Sequence, residues 1–240
     1  MEIEVLVDSA SVAQRAASVI ADAAREAVAA RGHFAMAVSG GQTPWLMLRR
    51  LADAGIPWRA VHILQVDERV APAGDRDRNL THLYESLLPH APLSPDQIHA
   101  MPVEAPDLAE AAAQYVETLR GIAGAPPVLD LVHLGLGPDG HTASLVPGDP
   151  VLDIDNADVA LSGAYQGRRR MTLTYPILNR ARRVLWVVTG SEKAGMVNRL
   201  LAGDRSIPAG RVRSDGALLL ADRGAGAAYR EGLDGGVPCA

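Results

Sequence analysis

Short apolar runs alternate along this chain with longer stretches whose apolar positions recur at helical spacing, so strands and helices are expected in turn. A strand is predicted at 3–7, followed by an alanine-rich helix capped by Ser9 or Ser11 and running to about residue 31. The compact apolar run at 34–38 ends at Ser39-Gly40-Gly41, and Thr43 before Pro44 suits an N-cap with proline in the first turn of a helix over 44–54. The next strand, 61–66, releases Asp67, Glu68 and Arg69 into a polar loop through Asn79 before a helix at 80–88. A helix at 107–121 precedes a strand at 129–134. Short strands at 159–162 and 171–173, a helical turn at 176–179, a strand at 184–189, a helix at 191–201 and a last strand at 217–220 complete the pattern. The glycine-rich stretch 225–240 reads as a short helix and a loose tail. Strands alternating with helices predict an α/β fold of three layers, a mostly parallel sheet with helices on both faces. No repeat or long linker divides the chain, so residues 1–240 read as one domain.

Ligands of open parallel sheets collect beyond the carboxyl ends of the strands. Ser39-Gly40-Gly41, Asp67-Glu68-Arg69, the stretch 137–141 and the stretch 190–193 all fall there, so four strand ends are expected to line one pocket.

The third of these carries Gly135, Gly137 and Gly140 in the spacing G-x-G-x-x-G. A dinucleotide fingerprint belongs in the first strand-turn-helix unit, opens a substantial helix and has an acidic residue about 20 positions later on the next strand. Here the glycines come late, Pro147-Gly148 leaves little room for a helix, and Asp139 would turn a negative charge toward a pyrophosphate. Asp155 has the offset but sits in a polar connection. The glycines instead present His141, a side-chain type that titrates near about pH 6.5 and suits a general base. Asp139 is placed to orient its ring or a water. The plainer reading of His141 is an exposed loop histidine capping Thr142 or a nearby turn. His62 and His133 lie inside strand patterns and are expected to be packed or hydrogen-bonded, and no histidine pair has a zinc spacing.

Charge narrows the partners. A formal net charge of -5, from 23 basic and 28 acidic residues, argues against nonspecific nucleic-acid binding and leaves room for a local patch that holds a small anion. No apolar run reaches the ~18 residues of a membrane span, the opening residues lack a secretory pattern, and a cytoplasmic setting is expected. Cys239, near the chain end, reads as incidental. Gly40 and Gly41 allow close backbone approach at a helix N-terminus, although the spacing is not that of a P-loop. Lys193, at the start of a helix, opposes the helix dipole unless an anion neutralises it. Arg69 is a second clamp candidate, with pairing to Asp67 and Glu68 or solvent exposure as its alternatives. Of Arg168, Arg169 and Arg170, only Arg170 is retained, as a peripheral candidate.

Taken together, S-G-G-Q-T-P at 39–44, D-E-R at 67–69 with Asn79 following, G-L-G-P-D-G-H-T-A-S-L-V-P-G at 135–148, R-M-T-L-T-Y-P-I-L-N at 170–179 and G-S-E-K-A at 190–194 resemble the 6-phosphogluconolactonases over nearly the whole chain. The resemblance implies the fold of the glucosamine-6-phosphate deaminases and ribose-5-phosphate isomerases. It implies hydrolysis of a small phosphosugar lactone, without metal or organic cofactor. The deaminase branch carries D-G-H-I-A-F-N-E-P and D-E-Y instead, and here Thr142-Ala143-Ser144-Leu145-Val146-Pro147 and Arg69 favour the lactonase.

Under that resemblance His141 is the base, Asp139 its orienter and Arg69 with Lys193 the phosphate clamp, assisted by backbone around Gly40 and Gly41. Asp67 is expected to contact sugar hydroxyls or water, Glu68 to pair with a basic neighbour, and backbone donors between Gly137 and Gly140 to face the oxyanion. No nucleic acid or membrane partner is expected, and the chain is expected to act as a monomer or small homo-oligomer. A deaminase or isomerase is the enzymatic alternative. A noncatalytic sugar-phosphate sensor is the other, and it would be expected to bring a DNA-binding helical domain, for which no separate N-terminal segment is available.

Overall fold

Every residue of the strand Phe34–Val38 is buried because both faces of the sheet are covered: Phe34, Met36 and Val38 enter one core, Ala35 and Ala37 the other. The computed structural model describes residues 1–227 and Tyr229; most of the helix and tail expected at 225–240, Cys239 included, lie outside the described residues. The elements run β1 (Glu2–Leu6), α1 (Ser9–Arg31), β2 (Phe34–Val38), α2 (Gln42–Leu51), β3 (Val61–Gln65), β4 (Asp67–Arg69), α3 (Asn79–Leu87) and β5 (Ile98–His99). They continue with α4 (Leu108–Ala123), β6 (Leu131–Leu134), β7 (Val159–Tyr165), β8 (Arg168–Leu173), α5 (Tyr175–Arg180), β9 (Arg183–Val188), α6 (Ala194–Leu201) and β10 (Ala217–Asp222).

Seven strands form one parallel sheet in the order β1-β10-β9-β6-β2-β3-β5. Helices α1, α2 and α3 pack on one face through residues such as Ile20, Met47 and Leu87. The other face carries α4, α5 and α6, through Tyr115, Ile177 and Val197, and a second sheet. Successive strands step away from the β2/β6 boundary in opposite directions, which makes the crevice beyond those two carboxyl ends the topological switch point.

The second sheet corrects the sequence reading. Asp67-Glu68-Arg69, expected in a loop, is strand β4 of an antiparallel sheet ordered β4-β8-β7. The chain changes sheets at Val66, whose N–H donates to Val38 O at 3.0 Å while its carbonyl accepts from Leu173 N at 2.8 Å. Two cap assignments also move. Asp8, not Ser9 or Ser11, caps α1 by accepting from Ser11 N at 2.7 Å. Gly41 takes the N-cap position of α2, so Thr43 lies within the helix and its hydroxyl bonds that of Thr189 at 2.7 Å. Edge strand β5 adds to the expected pattern, since two residues carry no readable alternation. Among the described residues, no helix is long and apolar enough to cross a membrane.

Candidate active site

Beyond the switch point the four expected strand ends surround one pocket of about 650 Å³, lined among others by Gly40, Asp67, Arg69, His141, Arg170 and Lys193. After β6 the chain closes on itself: Gly137 N–H donates to His141 O at 2.8 Å and Gly140 N–H to Gly137 O at 3.0 Å. No helix opens here, and the next helical residues are the 3-10 turn Pro150–Asp153, so the glycine triplet does not form a dinucleotide cradle. Gly137 is required by proximity, because a Cβ there would lie 2.1 Å from His141 Nδ1 and 2.7 Å from Asp139 Oδ1. These bonds correct one expectation. The amides of Gly137 and Gly140 are committed within the loop and Pro138 has none, so of that stretch only the Asp139 amide is left for an oxyanion.

Asp139 Oδ1 lies 2.5 Å from His141 Nδ1 and also accepts from His141 N–H at 3.1 Å; its other oxygen accepts from the Tyr165 hydroxyl at 3.1 Å. Burial by itself pushes the Asp139 carboxyl up, but the His141 N–H, ring and charge together with Tyr165 outweigh it and hold the group below the ordinary carboxylate range. An ionised carboxylate only accepts, so Nδ1 carries the ring proton in neutral His141 and Nε2 keeps its lone pair. The ring lies edge-on to Tyr165, with centroids 5.2 Å apart. His141 is thus built into the pocket and is not a capping histidine of the surface.

A cationic wall stands beside it. Arg69 and Arg170 sit directly opposite one another in the β4/β8 register, an arrangement that repulsion disfavours unless an anion or a carboxylate compensates. Arg69 donates to Asp77 O at 3.0 Å and to Asn79 Oδ1 at 2.5 Å. Arg170, only 4% exposed, has Asp67 Oδ2 at 3.8 Å and Gln166 Oε1 at 3.4 Å. Burial, then the neighbouring Arg69, depress its pKa. The Nε atoms of both arginines are buried without a hydrogen-bond partner among the described residues. Arg170 therefore lines the pocket itself, set beside Arg69 by the pairing of β8 with β4. Arg168, by contrast, is held by Asp75 and Asp77 at 3.2 and 3.1 Å.

Asp67 is buried and largely committed, accepting from Ser144 Oγ at 2.6 Å and from Asn79 Nδ2 at 3.3 Å. Asn79 also excludes any side chain at position 40, where a Cβ would lie 1.9 Å from its Oδ1. Lys193 lines the pocket from the start of α6; burial lowers its pKa, against the opposing charges of Glu192 and Asp139. Glu68 turns away and pairs with Arg78 at 3.0 Å, as expected.

Tyr165, Gln166 and Ala143 escaped the sequence reading. Gln166 and Ala143 are the two non-glycine residues with left-handed φ, +53° and +52°, among the described residues, and both line the pocket. Each such backbone is disfavoured by about 1–2 kcal/mol, a strain typical of functional sites. The one available signal was Gln166-Gly167, a two-residue hairpin turn between an uncharged strand and the arginine-rich start of β8.

Of the two histidines expected to be packed, His62 bonds His99 at 3.1 Å. His133 in β6 is fully buried, accepts from Ser39 N–H at 3.2 Å through Nδ1 and so supports the Gly40-Gly41 turn. Burial lowers its pKa to about 4. With the folded-state value below the unfolded one, the unfolded chain takes up this proton first as pH falls from about 6.5, and stability drops until about pH 4. Urea unfolding is expected to show a loss of about 3 kcal/mol over that window that is absent in His133→Asn. Equal pH slopes for the two proteins would remove His133 as the cause.

Comparison with known proteins places this geometry. Residues 7–220 match the family described as glucosamine-6-phosphate isomerases/6-phosphogluconolactonase. The 6-phosphogluconolactonase of Synechocystis sp. is 33% identical across 94% of this chain and 97% of its own, and that of Mycobacterium tuberculosis is 35% identical with the same coverage. Among solved structures, the 6-phosphogluconolactonase from Thermotoga maritima superposes with a TM-score of 0.81 at 26% identity, covering 92% of this chain and 98% of that one. A monomeric glucosamine-6-phosphate deaminase superposes with a TM-score of 0.82 at 18% identity, covering 95% and 99%, a likeness of fold alone. The chain belongs to the glucosamine-6-phosphate isomerase/6-phosphogluconolactonase family.

Proposed function

We propose that this chain is a 6-phosphogluconolactonase that hydrolyses 6-phospho-D-glucono-1,5-lactone to 6-phospho-D-gluconate, the second step of the oxidative pentose phosphate pathway. The observation that carries the reading is the Asp139-held His141 facing the same pocket as Arg69, Arg170 and Lys193. Arg69 and Lys193, with backbone at Gly40 and Gly41, hold the phosphate, while Arg170 adds positive potential beside Asp67. Binding energy from that remote dianion positions C1 against His141. Nε2 of His141 takes a proton from water as its oxygen bonds to C1. The tetrahedral intermediate then collapses, the C1–ring-oxygen bond breaks, and the imidazolium returns its proton to the departing oxygen. Asp139 stabilises the imidazolium without becoming a nucleophile. Asp67, braced by Ser144 and Asn79, is assigned to sugar hydroxyls. The whole chain serves as one domain of a cytoplasmic enzyme acting as a monomer or small homo-oligomer.

The test is an initial-rate assay on freshly generated lactone, corrected for its spontaneous hydrolysis. Wild type should turn over the phosphorylated lactone and release no ammonia from glucosamine 6-phosphate; the opposite pattern would make it a deaminase. Lys193→Ala should lower kcat/KM about 10–100-fold for the phosphorylated lactone, as loss of a charged hydrogen bond predicts, and leave an unphosphorylated lactone unaffected. Equal losses on both substrates would take Lys193 out of the phosphate site.

A further inference from the structure

We infer that Tyr165 is a positioning residue for the hydrolytic step, fixing the Asp139 carboxylate so that it can hold His141 in the reactive tautomer. The inference rests on the lactonase reading of His141 and adds a third member to its dyad. Asp139 uses one oxygen for His141, at 2.5 Å from Nδ1, and the other accepts from Tyr165 at 3.1 Å. With both oxygens bonded, the carboxylate has one orientation, and so has the imidazole. The Tyr165 hydroxyl is also 3.5 Å from His141 Nδ1, so rotation of Asp139 out of place would leave the phenol and the ring in contact without the acceptor that orders them.

Tyr165 is itself held from two sides. Its ring meets the edge of His141, and the Arg170 guanidinium lies over its face 5.1 Å from the centroid. The hairpin turn that brings it here uses left-handed backbone at both Gln166 and Gly167, the signature of a tight two-residue connection. A glutamine in the left-handed region is an unfavourable choice for a mere turn, and it places Tyr165 over the loop that carries Asp139 and His141. Arg170 thereby touches both the anion-binding wall and the tyrosine that steadies the base.

Tyr165→Phe keeps the ring and removes only the hydroxyl. It is expected to lower kcat about tenfold, the effect of one hydrogen bond to a charged group, with KM within about twofold. In the unliganded protein the Asp139 carboxyl, followed by 13C NMR, should titrate at higher pH in the variant, because one of the bonds that favour its ionised form is lost. The other groups facing this carboxyl, His141 from its own loop and Lys193 from the start of α6, are unchanged in the variant, as is Arg170 on the far side of the Tyr165 ring. In an Asp139→Asn background Tyr165→Phe should cost nothing further.

An unmoved Asp139 titration, an unchanged kcat, or equal losses in the wild-type and Asp139→Asn backgrounds would each overturn the role of Tyr165. Failure of the lactonase reading is distinguishable, since wild type itself would then show no lactone turnover above spontaneous hydrolysis, and an error in the base assignment would show as His141→Ala turning over at the wild-type rate.

Discussion

Replacing His141 with alanine is expected to lower kcat for the phosphorylated lactone at least 100-fold, with KM little changed and the fold intact. General-base catalysis by a positioned side chain contributes roughly 10²–10⁴ in rate, and among the described residues no second imidazole lines this pocket to substitute. KM should hold because the cations assigned to the phosphate, Arg69 and Lys193, are fixed by other elements, Arg69 by Asp77 and Asn79 and Lys193 by the turn before α6. Stability should hold because the imidazole is 21% exposed and spends its ring bonds on the loop's own Asp139 and on Tyr165. The measurement is initial rate against lactone concentration, with a thermal melt of the same preparation. A folded variant that retains more than about half of the wild-type rate would remove His141 as the base.

The sequence and the structure agree where burial dominates and part where function does. Phe34–Val38 reads as an unbroken apolar run and β6 as one interrupted only by the buried His133, because the parallel sheet is covered on both faces, so the central layer and the switch point were legible. The second sheet was legible only in part, as short strands at 159–162 and 171–173 whose pairing into a separate antiparallel sheet with β4 was not. Asp67-Glu68-Arg69 and Arg168-Arg169-Arg170 have the composition of loops, and they form strands because each pairs along the backbone while the side chains serve ion pairs and the pocket. Placing Arg69 opposite Arg170 contradicts ordinary cross-strand preference, and such local conflicts are expected at functional sites. His141 was legible as a pocket residue through its glycine-rich loop, whereas Arg69 and Lys193 line the same pocket from strand β4 and from the start of α6. Tyr165 was not legible, since its meeting with Asp139 depends on a hairpin crossing a loop 26 residues away in sequence.

The largest expected loss of stability comes from a residue outside the chemistry. Glu68 is fully buried and accepts from Arg69 N–H and Asn79 N–H, each at 2.8 Å, and from Gln65 Nε2 and Leu80 N–H, each at 2.9 Å, while Arg78 Nε lies 3.0 Å away. Two of these donors are the first amides of α3, whose N-cap, Arg78, supplies no side-chain bond. A carboxylate from a neighbouring strand thus caps this helix and complements its dipole. Glu68→Ala would leave the Arg78 side chain, 3% exposed, with only Glu104 at 3.8 Å as a carboxylate partner, and would uncap α3 at the same time. Breaking a buried pair by removing one member costs about 3–5 kcal/mol, and urea unfolding should register a loss of that order. Glu68→Gln, which keeps a carbonyl acceptor but not the charge, should fall between. Asn79 begins α3 and orients Arg69, so whatever Glu68→Ala protein stays folded should also bind the phosphorylated lactone less well, the reverse of the His141→Ala pattern of lost turnover with intact binding and stability. A loss below about 1 kcal/mol would mean that Arg78 finds another partner and that the cap is dispensable.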